Sequence, residues 1–338
     1  MLETVWFCIW GILWAVYFML DGFDLGLGVL QPILAQDDGD RKAVYLAMGP
    51  FWDGNEVWLV AAAGVTFAAF PVLYAVMFSS FYSILMLILF ALILRAMSIE
   101  LGEEASGPVW RSMWRGCLAF SSLLPAFLFG VVFANIFRGI PIDGEGIYHG
   151  TFLTLLNPYG LMGGLLFSLL FLMHGALWLA VKTDGPLQAR SARSASRIWP
   201  VLLVTAAAFL ILCAVQTELF ALYLKRPVLL VIPLIAVAAL LMTRVWIGRA
   251  EWSKAWGASC ASIFSIIMFG VMGLYPLLLP STLDTAFSLT VHNSASSPMT
   301  LKIMLGVVLV FIPIIAVYQG WVYRFFGGKV DEEAYAKH

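Results

Sequence analysis

The sequence predicts an all-α integral membrane protein with nine membrane-spanning helices. Hydrophobic residues make up 62% of the 338 residues and charged residues only 12%, whereas soluble domains have roughly 45–50% and about 25%. The hydrophobic residues also form uncharged runs that approach or exceed the roughly 20 residues needed to cross a bilayer. Both observations exclude an ordinary soluble domain.

Eight uncharged windows give the positions of the helices. The first helix should continue through Asp21 and Asp24 toward Leu30. The second window is long enough for two spans, and Pro71 near its middle favours a tight hairpin. The seventh helix is the shortest. The windows are residues 4–20, 57–94, 116–137, 150–181, 198–217, 227–243, 255–283 and 303–323.

Lysine and arginine placement predicts how these helices cross the membrane. With the N-terminus periplasmic and the C-terminus cytoplasmic, only Arg138, Lys225, Arg226 and Lys302 lie outside. Cytoplasmic loops are usually richer in Lys and Arg, so this orientation is favoured. The residues predicted inside are Arg41, Lys42, Arg95, Arg111, Arg115, Lys182, Arg190, Arg193, Arg197, Arg244, Arg249, Lys254, Arg324, Lys329 and Lys337.

The loops between the predicted helices are too short to form separate domains. We therefore expect residues 1–338 to be one polytopic membrane domain. Two four-helix bundles, helices one to four and five to eight, with one extra helix would indicate an internal duplication. A single unrepeated bundle fits the helix count equally well.

Two acidic patches are the strongest functional feature. Asp21 and Asp24 close the first helix, whereas Asp53 and Glu56 open the second. Carboxylates are costly near the membrane interior unless they are paired, hydrated or used, so these acids predict a proton or cation entry route. The spacing of Asp53 and Glu56 also fits a capping box. Gly22 and Gly26, beside Asp21, fit either close helix packing or the same route.

Cysteine and histidine placement limits the cofactors that this chain could bind. The four cysteines, Cys8, Cys117, Cys213 and Cys260, are scattered singly, which excludes a cysteine-ligated iron–sulfur cluster and a typical zinc site. His174 is the one histidine within a predicted helix. A hydrogen-bonded interior histidine is the favoured interpretation, although haem ligation with a methionine stays open. We expect no metal site and no nucleic-acid partner.

Five segments resemble subunit II of cytochrome bd-type quinol oxidases, in order and along nearly the whole chain. The short connection at residues 217–226 is similar to that of the cyanide-insensitive branch of this family. The segments are Asp21–Gly28 (DGFDLGLG), Pro50–Trp58 (PFWDGNEVW), Arg111–Trp114 (RSMW), Leu156–Gly160 (LNPYG) and Phe287–Thr290 (FSLT).

The resemblance implies a complex of the bacterial inner membrane that oxidises quinol and reduces dioxygen to water. It implies that haem b and haem d belong to subunit I, the partner, and that this chain supplies neither a haem ligand nor a catalytic residue. Asp53 would lie on a hydrophilic channel from the cytoplasm, and we extend that channel to Asp24 and Glu56. A structural quinone, a small single-helix accessory subunit and membrane lipids are further expected partners.

The resemblance predicts a supporting role, and two other functions remain to be weighed against it. This chain would stabilise subunit I and contribute to proton uptake. The alternative is a proton- or cation-coupled secondary transporter, since intramembrane acids and repeats also occur in transporters. A second alternative is a membrane anchor of another respiratory complex, in which the acids only cap helices.

Overall fold

The structure, a computed structural model, describes residues 1–104 and 107–330. Most of the described chain is helical. Two short strands, β1 (Leu277–Leu279) and β2 (Leu289–Thr290), pair in antiparallel orientation. The helices are α1 (Leu2–Leu34), α2 (Asp38–Met48), α3 (Trp52–Ala69), α4 (Pro71–Ser80), α5 (Tyr82–Glu104), α6 (Pro108–Arg138), α7 (Phe152–Leu155), α8 (Pro158–Lys182), α9 (Gly185–Gln216), α10 (Leu219–Lys225), α11 (Val231–Gly248), α12 (Trp252–Leu274) and α13 (Pro298–Phe325).

Eight helices in the described part of the chain are long and apolar enough to cross a membrane. They are α1, α5, α6, α8, α9, α11 with the 3-10 turn Pro227–Leu230 before it, α12 and α13. An all-α integral membrane protein is therefore confirmed. Helix α3, which would be the ninth span, has 18 residues and begins with a polar, acidic turn, which lowers its average hydropathy.

The predicted hairpin at Pro71 takes a different form in the structure. Helix α3 ends before Phe70, and Pro71 occupies the first turn of α4, where its missing N–H is not needed. Helix α4 has only ten residues, and a second break at Phe81 separates it from α5. The segment therefore forms three helices where the sequence predicted two.

Contacts between distant segments define two ends of the helix bundle. At the first, which we call the Asp53 end, Arg190 Nε donates to Leu34 O at 2.9 Å and Lys329 Nζ donates to Thr183 O at 2.6 Å. The Asp53 end thus combines several segments that were predicted to lie inside. The described residues do not include Lys337, so its predicted position is outside this comparison.

The opposite end, which we call the Pro280 end, is built from the segments predicted to lie outside. Ile140 N donates to Pro280 O at 3.1 Å, and Ser296 N donates to Ala69 O at 2.9 Å. Ala69 closes α3, whereas Phe51, just before α3, packs its ring against Tyr323 near the end of α13, with 4.7 Å between ring centroids. Helix α3 consequently runs from the Asp53 end to the Pro280 end.

Helix α1 lies at the centre of the bundle and packs against α3, α6, α8 and α12. Its closest approach is to α8, because a Cβ atom on Gly26 would lie 1.8 Å from the carbonyl oxygen of Phe171. A Cβ on Gly22 would lie 2.7 Å from the Phe171 ring. The two backbones therefore touch directly, which holds the middle of α1 in a fixed position beside α8.

Helix α13 is different, because it has little packing along its length. Only 6% of its most apolar 18-residue window is buried, against 78% for α8. Instead, hydrogen bonds from α1 and α8 hold the two ends of α13. Trp6 Nε1 donates to Leu301 O at 3.1 Å near its start, and Lys182 Nζ donates to Gly328 O at 2.7 Å just after its end.

Candidate functional site

Residues of both acidic patches meet at one arginine inside the bundle. Arg95, on α5, donates to Asp21 of α1 through Nη1 at 3.1 Å and through Nη2 at 2.7 Å. Its Nη2 also binds a carboxylate oxygen of Glu56, on α3. Arg95 and Asp21 are both 0% exposed, whereas the Glu56 side chain is 26% exposed. Three helices are joined by this cluster.

The position of Arg95 adds to the sequence-based interpretation. The charge count assigned Arg95 to the inner side, and the structure shows the residue buried within α5, which continues to Glu104. A buried charge is tolerated when it is paired, and the two carboxylates supply that pairing. The signal that could have revealed it is an isolated arginine at the end of a long apolar run, opposite unpaired acids.

Asp24 lies one helical turn after Asp21 and belongs to a second hydrogen-bonded group. Asn55 Nδ2, on α3, donates to Asp24 Oδ2 at 2.7 Å and to Leu20 O at 3.2 Å. Asp24 Oδ1 is buried without a protein partner among the described residues. Asp24 thus has one carboxylate oxygen fixed by an amide and one that has no hydrogen-bond partner in the described part of the chain.

Asn55 extends this group to α13. Its Oδ1 accepts from Gln319 Nε2 at 3.1 Å and from Tyr323 Oη at 2.9 Å. Gln319 also accepts from Trp58 Nε1. Asn55, Gln319 and Tyr323 were not singled out from the sequence, because single amides and tyrosines in apolar helices give little signal on their own.

Asp53 is not part of the buried cluster. Its side chain is exposed at the start of α3, where Oδ1 accepts from Gly54 N at 2.6 Å. The capping-box interpretation is wrong, because α3 has no side-chain cap and Glu56 binds Arg95 instead of reaching back to the backbone. Asp53 therefore lies on the surface of the protein, one helical turn before Glu56.

Exposed apolar side chains lie on both α3 and α13. Val57 and Val60 on α3 are 49% and 70% exposed, and Val317 on α13 is 74% exposed. The hydrogen bond between Trp58 and Gln319 joins the two helices. The Glu56 side chain is 26% exposed and lies one helical turn before Val60, so its carboxylate borders the exposed apolar side chains of α3.

His174 is held entirely by protein groups. Its Nδ1 lies 2.6 Å from Ser259 Oγ and its Nε2 lies 3.0 Å from Met19 O, while its ring stacks on Trp256 with 5.6 Å between centroids. With both ring nitrogens occupied, His174 does not fit an axial haem ligand. No group of three or more His, Cys, Asp or Glu side chains suited to a metal ion occurs among the described residues.

Comparison with known proteins decides the family. The model of the family described as cytochrome bd terminal oxidase subunit II matches residues 2–326. The chain belongs to the cytochrome bd terminal oxidase subunit II family. The predicted resemblance is thereby confirmed, and a secondary transporter is not favoured.

Relatives of known identity in this family match the chain from end to end. The cytochrome bd ubiquinol oxidase subunit 2 of Bacillus subtilis (strain 168) is 32% identical, with 98% of each chain covered. The cytochrome bd-I ubiquinol oxidase subunit 2 of Escherichia coli (strain K12) is 28% identical, over 98% of this chain and 96% of the relative.

A solved structure shares the fold of this subunit II chain. It is described as the bd oxidase from Geobacillus thermodenitrificans and matches with a TM-score of 0.75. The match covers 97% of this chain and 99% of the other at 15% sequence identity. The helical architecture of the chain is therefore one already seen in a bd oxidase.

Proposed function

We propose that this chain is the non-haem subunit II of a terminal quinol oxidase that reduces dioxygen to water in the respiratory chain. The observation that carries the proposal is the family match over residues 2–326, together with a ubiquinol oxidase subunit related over 98% of both chains. The chain takes part in an enzyme without carrying its catalytic groups. Assignment to the cyanide-insensitive branch stays a prediction from the short segment at residues 217–226.

The redox groups of the complex would belong to subunit I. This is supported by His174, the interior histidine, whose two ring nitrogens both bind protein groups, so that it does not fit an axial haem ligand. We propose haem b and haem d groups in the partner, with quinol as the electron donor. A structural quinone and a small single-helix accessory subunit remain predictions without an assigned position.

The topology that fits this role has nine spans in the bacterial inner membrane. Helix α3 would be the ninth span, which is supported by its course between the two ends of the bundle. The Asp53 end would face the cytoplasm, because the segments that it combines contain most of the Lys and Arg residues. One hydrophobic core, from Trp6 to Leu301, supports a single polytopic domain. Its origin by duplication stays open.

Proton uptake would begin at the Asp53 end. Asp53 is exposed at the Asp53 end, and Glu56 follows one turn deeper beside the exposed apolar side chains of α3. Arg95 holds Asp21 and Glu56 in place, while Asp24, with one carboxylate oxygen that has no partner among the described residues, would accept and release a proton. We propose that Asp53, Glu56 and Asp24 carry protons toward subunit I and that Asp21 positions Arg95.

Subunit I would cover part of the surface of α3 and α13. Both helices expose apolar side chains, those of α3 lie beside Glu56, and only 6% of the most apolar window of α13 is buried within this chain. A partner there would receive protons directly and would gain a large contact area. The exposed faces of α9 and α11, only 22% and 17% buried over their apolar windows, would contact membrane lipids.

Replacing Asp53 by Asn in the assembled complex tests the proton route. We expect slower oxygen turnover with haem content and complex yield unchanged, because the neutral amide cannot exchange a proton. Asp184→Asn is the control, since Asp184 is an exposed acid at the same end that pairs with Lys329 instead. Loss of haem would make Asp53 structural, and normal turnover with full haem would reject its role in proton uptake.

A separate experiment tests the assignment as an oxidase subunit. The tagged chain is purified in mild detergent, and a reduced-minus-oxidised spectrum is recorded with an oxygen-consumption assay on added quinol. Haem bands, quinol oxidation and a second polytopic chain would support the proposal. A colourless chain without a partner would favour a transporter, and haem without quinol oxidation would favour a membrane anchor of another complex.

A further inference from the structure

An apolar cavity lies among five helices, away from the cluster around Arg95. It has a volume of about 80 Å³ and is bounded by α6, α8, α9, α11 and α12. Every described residue that lines it is apolar. On α6 the lining runs from Gly130 to Phe137, which corresponds to about 10 Å of helix. Cavities of this kind stay dry, so that an apolar group is the ligand that would fill it.

The cavity opens toward the membrane between α9 and α11. Leu210 on α9 and Val237 on α11 both line it, and they are also 36% and 47% exposed on the surface of the chain. Lipid chains would surround this surface in the bilayer. An acyl chain would therefore enter between the two helices without passing a polar group.

One end of the cavity lies close to the Pro280 end of the bundle. Phe137 is the residue before the last of α6, and a Cβ atom on Gly270 of α12 would lie 2.1 Å from its ring. Phe269, which precedes Gly270, stacks on Tyr223 of α10 with 5.2 Å between ring centroids. The end of α6 and the short helix α10 therefore pack against the same turns of α12.

Three exposed cations lie at these two helix ends. Arg138 is the last residue of α6, Lys225 is the last residue of α10, and Arg226 follows it. Among the described residues, no carboxylate forms an ion pair with any of the three. Glu218, the acid of the segment 217–226, lies at the opposite end of α10. The positive charge beside the cavity is thus left for a ligand to neutralise.

The side of the membrane makes these cations unusual. In the orientation proposed above, the Pro280 end faces outward, where Lys and Arg are normally sparse. The sequence predicts only Arg138, Lys225, Arg226 and Lys302 outside, and three of these four lie at the cavity. Guanidinium groups bind phosphate oxygens through paired N–H donors, and a bound anion would relieve the repulsion between neighbouring cations.

We propose that this cavity holds one acyl chain of an anionic phospholipid, whose phosphate binds Arg138, Lys225 and Arg226. The chain would enter between Leu210 and Val237, and the headgroup would lie at the Pro280 end. The site shares no residue with the proposed proton route. Because lipid binding is measured without enzymatic turnover, its test stands apart from the oxidase assignment.

Lipid titration of the purified complex tests the headgroup contact. Native mass spectrometry would give apparent affinities for phosphatidylglycerol and phosphatidylcholine. We expect tighter binding of phosphatidylglycerol, weakened about tenfold by Arg226→Gln, as loss of one charge-assisted contact implies. Lys302→Gln is the control, because Lys302 is also exposed and predicted outside but lies on α13, which contributes no lining residue. Equal binding of the two lipids, or unchanged binding in Arg226→Gln, would overturn the headgroup site.

A second pair of variants tests the acyl chain. Ala236→Phe would fill the cavity with a ring and should weaken phosphatidylglycerol binding by about tenfold or more, because the chain is excluded. Ala238→Phe is the control, since Ala238 lies on the same helix but is exposed and does not line the cavity. If Ala236→Phe does not assemble, Ala236→Leu provides the same test. Equal binding in the cavity variant and its control would contradict the proposal.

Two further observations separate other ligands from a phospholipid. Organic extraction of the purified complex identifies the molecule that Ala236→Phe displaces, and loss of a quinone in place of a phospholipid would overturn the assignment. Displacement of phosphatidylglycerol by millimolar inorganic phosphate would show that phosphate alone binds the cations, which would also overturn it. Phospholipid retention that survives phosphate and fails in Ala236→Phe and Arg226→Gln supports the proposal.

Discussion

Arg95 and Asp21 form a bidentate ion pair inside the bundle, with Nη1–Oδ2 at 3.1 Å and Nη2–Oδ1 at 2.7 Å and neither side chain exposed. The pair joins α5 to the central helix α1. Because Glu56 binds the same guanidinium, the cluster also fixes the first turns of α3. The positions of Asp21 and Glu56 therefore depend on one arginine.

Replacing Arg95 by Met should strongly destabilise the chain. Asp21 would be left buried and unpaired, which typically costs about 3–5 kcal/mol. The double variant Arg95→Met with Asp21→Leu should recover part of the loss, since an apolar pair replaces the two fully buried ions while the partly exposed Glu56 still loses its partner. The melting temperature and yield of the complex measure both effects. A double variant as unstable as the single one would contradict this account.

Replacing Gly26 by Ala should separate α1 from α8. The new methyl group would lie 1.8 Å from the carbonyl oxygen of Phe171, so the backbones would have to move apart. Overpacking of this kind typically costs about 1–3 kcal/mol and sometimes more. Thermal unfolding of the complex should show a clear decrease in melting temperature.

Gly257→Ala is the matched control for Gly26→Ala. Gly257 also lies in a helix interior, but no atom lies within 4 Å of the position that its Cβ would occupy. Alanine there should stabilise the helix by roughly 0.5–1 kcal/mol. A similar loss of stability in both variants would mean that helix propensity, rather than the contact with Phe171, is responsible.

Replacing Lys182 by Met should release the end of α13. Lys182 Nζ donates to Gly328 O at 2.7 Å and also to Phe326 O, and these are charge-assisted bonds of about 1.5–3 kcal/mol each. Trypsin should then cleave after Arg324 and Lys329 at least about tenfold faster, given those energies. Lys254→Met removes a lysine paired with Glu251 and should leave the cleavage rate unchanged.

The loop between α6 and α7 should depend on pH through Asp143. Hydrogen bonds from His149 and from the amides of Ile147 and Glu145 hold the pKa of Asp143 below its usual value. A lowered carboxyl pKa in the folded state stabilises the loop above the ordinary aspartate pKa of about 4, and this is lost as the pH falls. Hydrogen exchange at Ile147, corrected for its intrinsic rate, should show the loss.

Two substitutions check this assignment of the pH dependence. Asp143→Asn should abolish it, because residue 143 then has no carboxyl group to titrate. Glu145→Gln should preserve it, because only the backbone amide of Glu145 takes part. If Asp143→Asn keeps the full pH dependence, another group in the loop is responsible.

The sequence predicted an all-α membrane protein correctly because long apolar runs report directly on transfer into lipid. It also identified Asp21, Asp24 and Glu56 as residues that need an explanation. It did not predict their partners. Arg95 lies 74 residues from Asp21, and a single arginine at the end of an apolar run has the same appearance whether it lies in a loop or in an ion pair.

Local rules failed where tertiary contacts were stronger. Asp53 and Glu56 have the spacing of a capping box, but the attraction of a buried guanidinium outweighs a backbone hydrogen bond, so Glu56 turns toward Arg95. Pro71 correctly marked a break. A second break at Phe81 has no proline or glycine to announce it, and it could not be predicted from composition.

Because α13 is attached at its two ends, its length is more constrained than the identity of its exposed side chains. Deleting one residue from its middle would shorten it by 1.5 Å and rotate its end by about 100°, which would turn the carbonyl groups of Phe326 and Gly328 away from Lys182. Exchanges among the exposed apolar residues would leave both attachments intact. Insertions and deletions within α13 should therefore be far more harmful than substitutions, because the length of the helix has to match the distance between the two ends of the bundle.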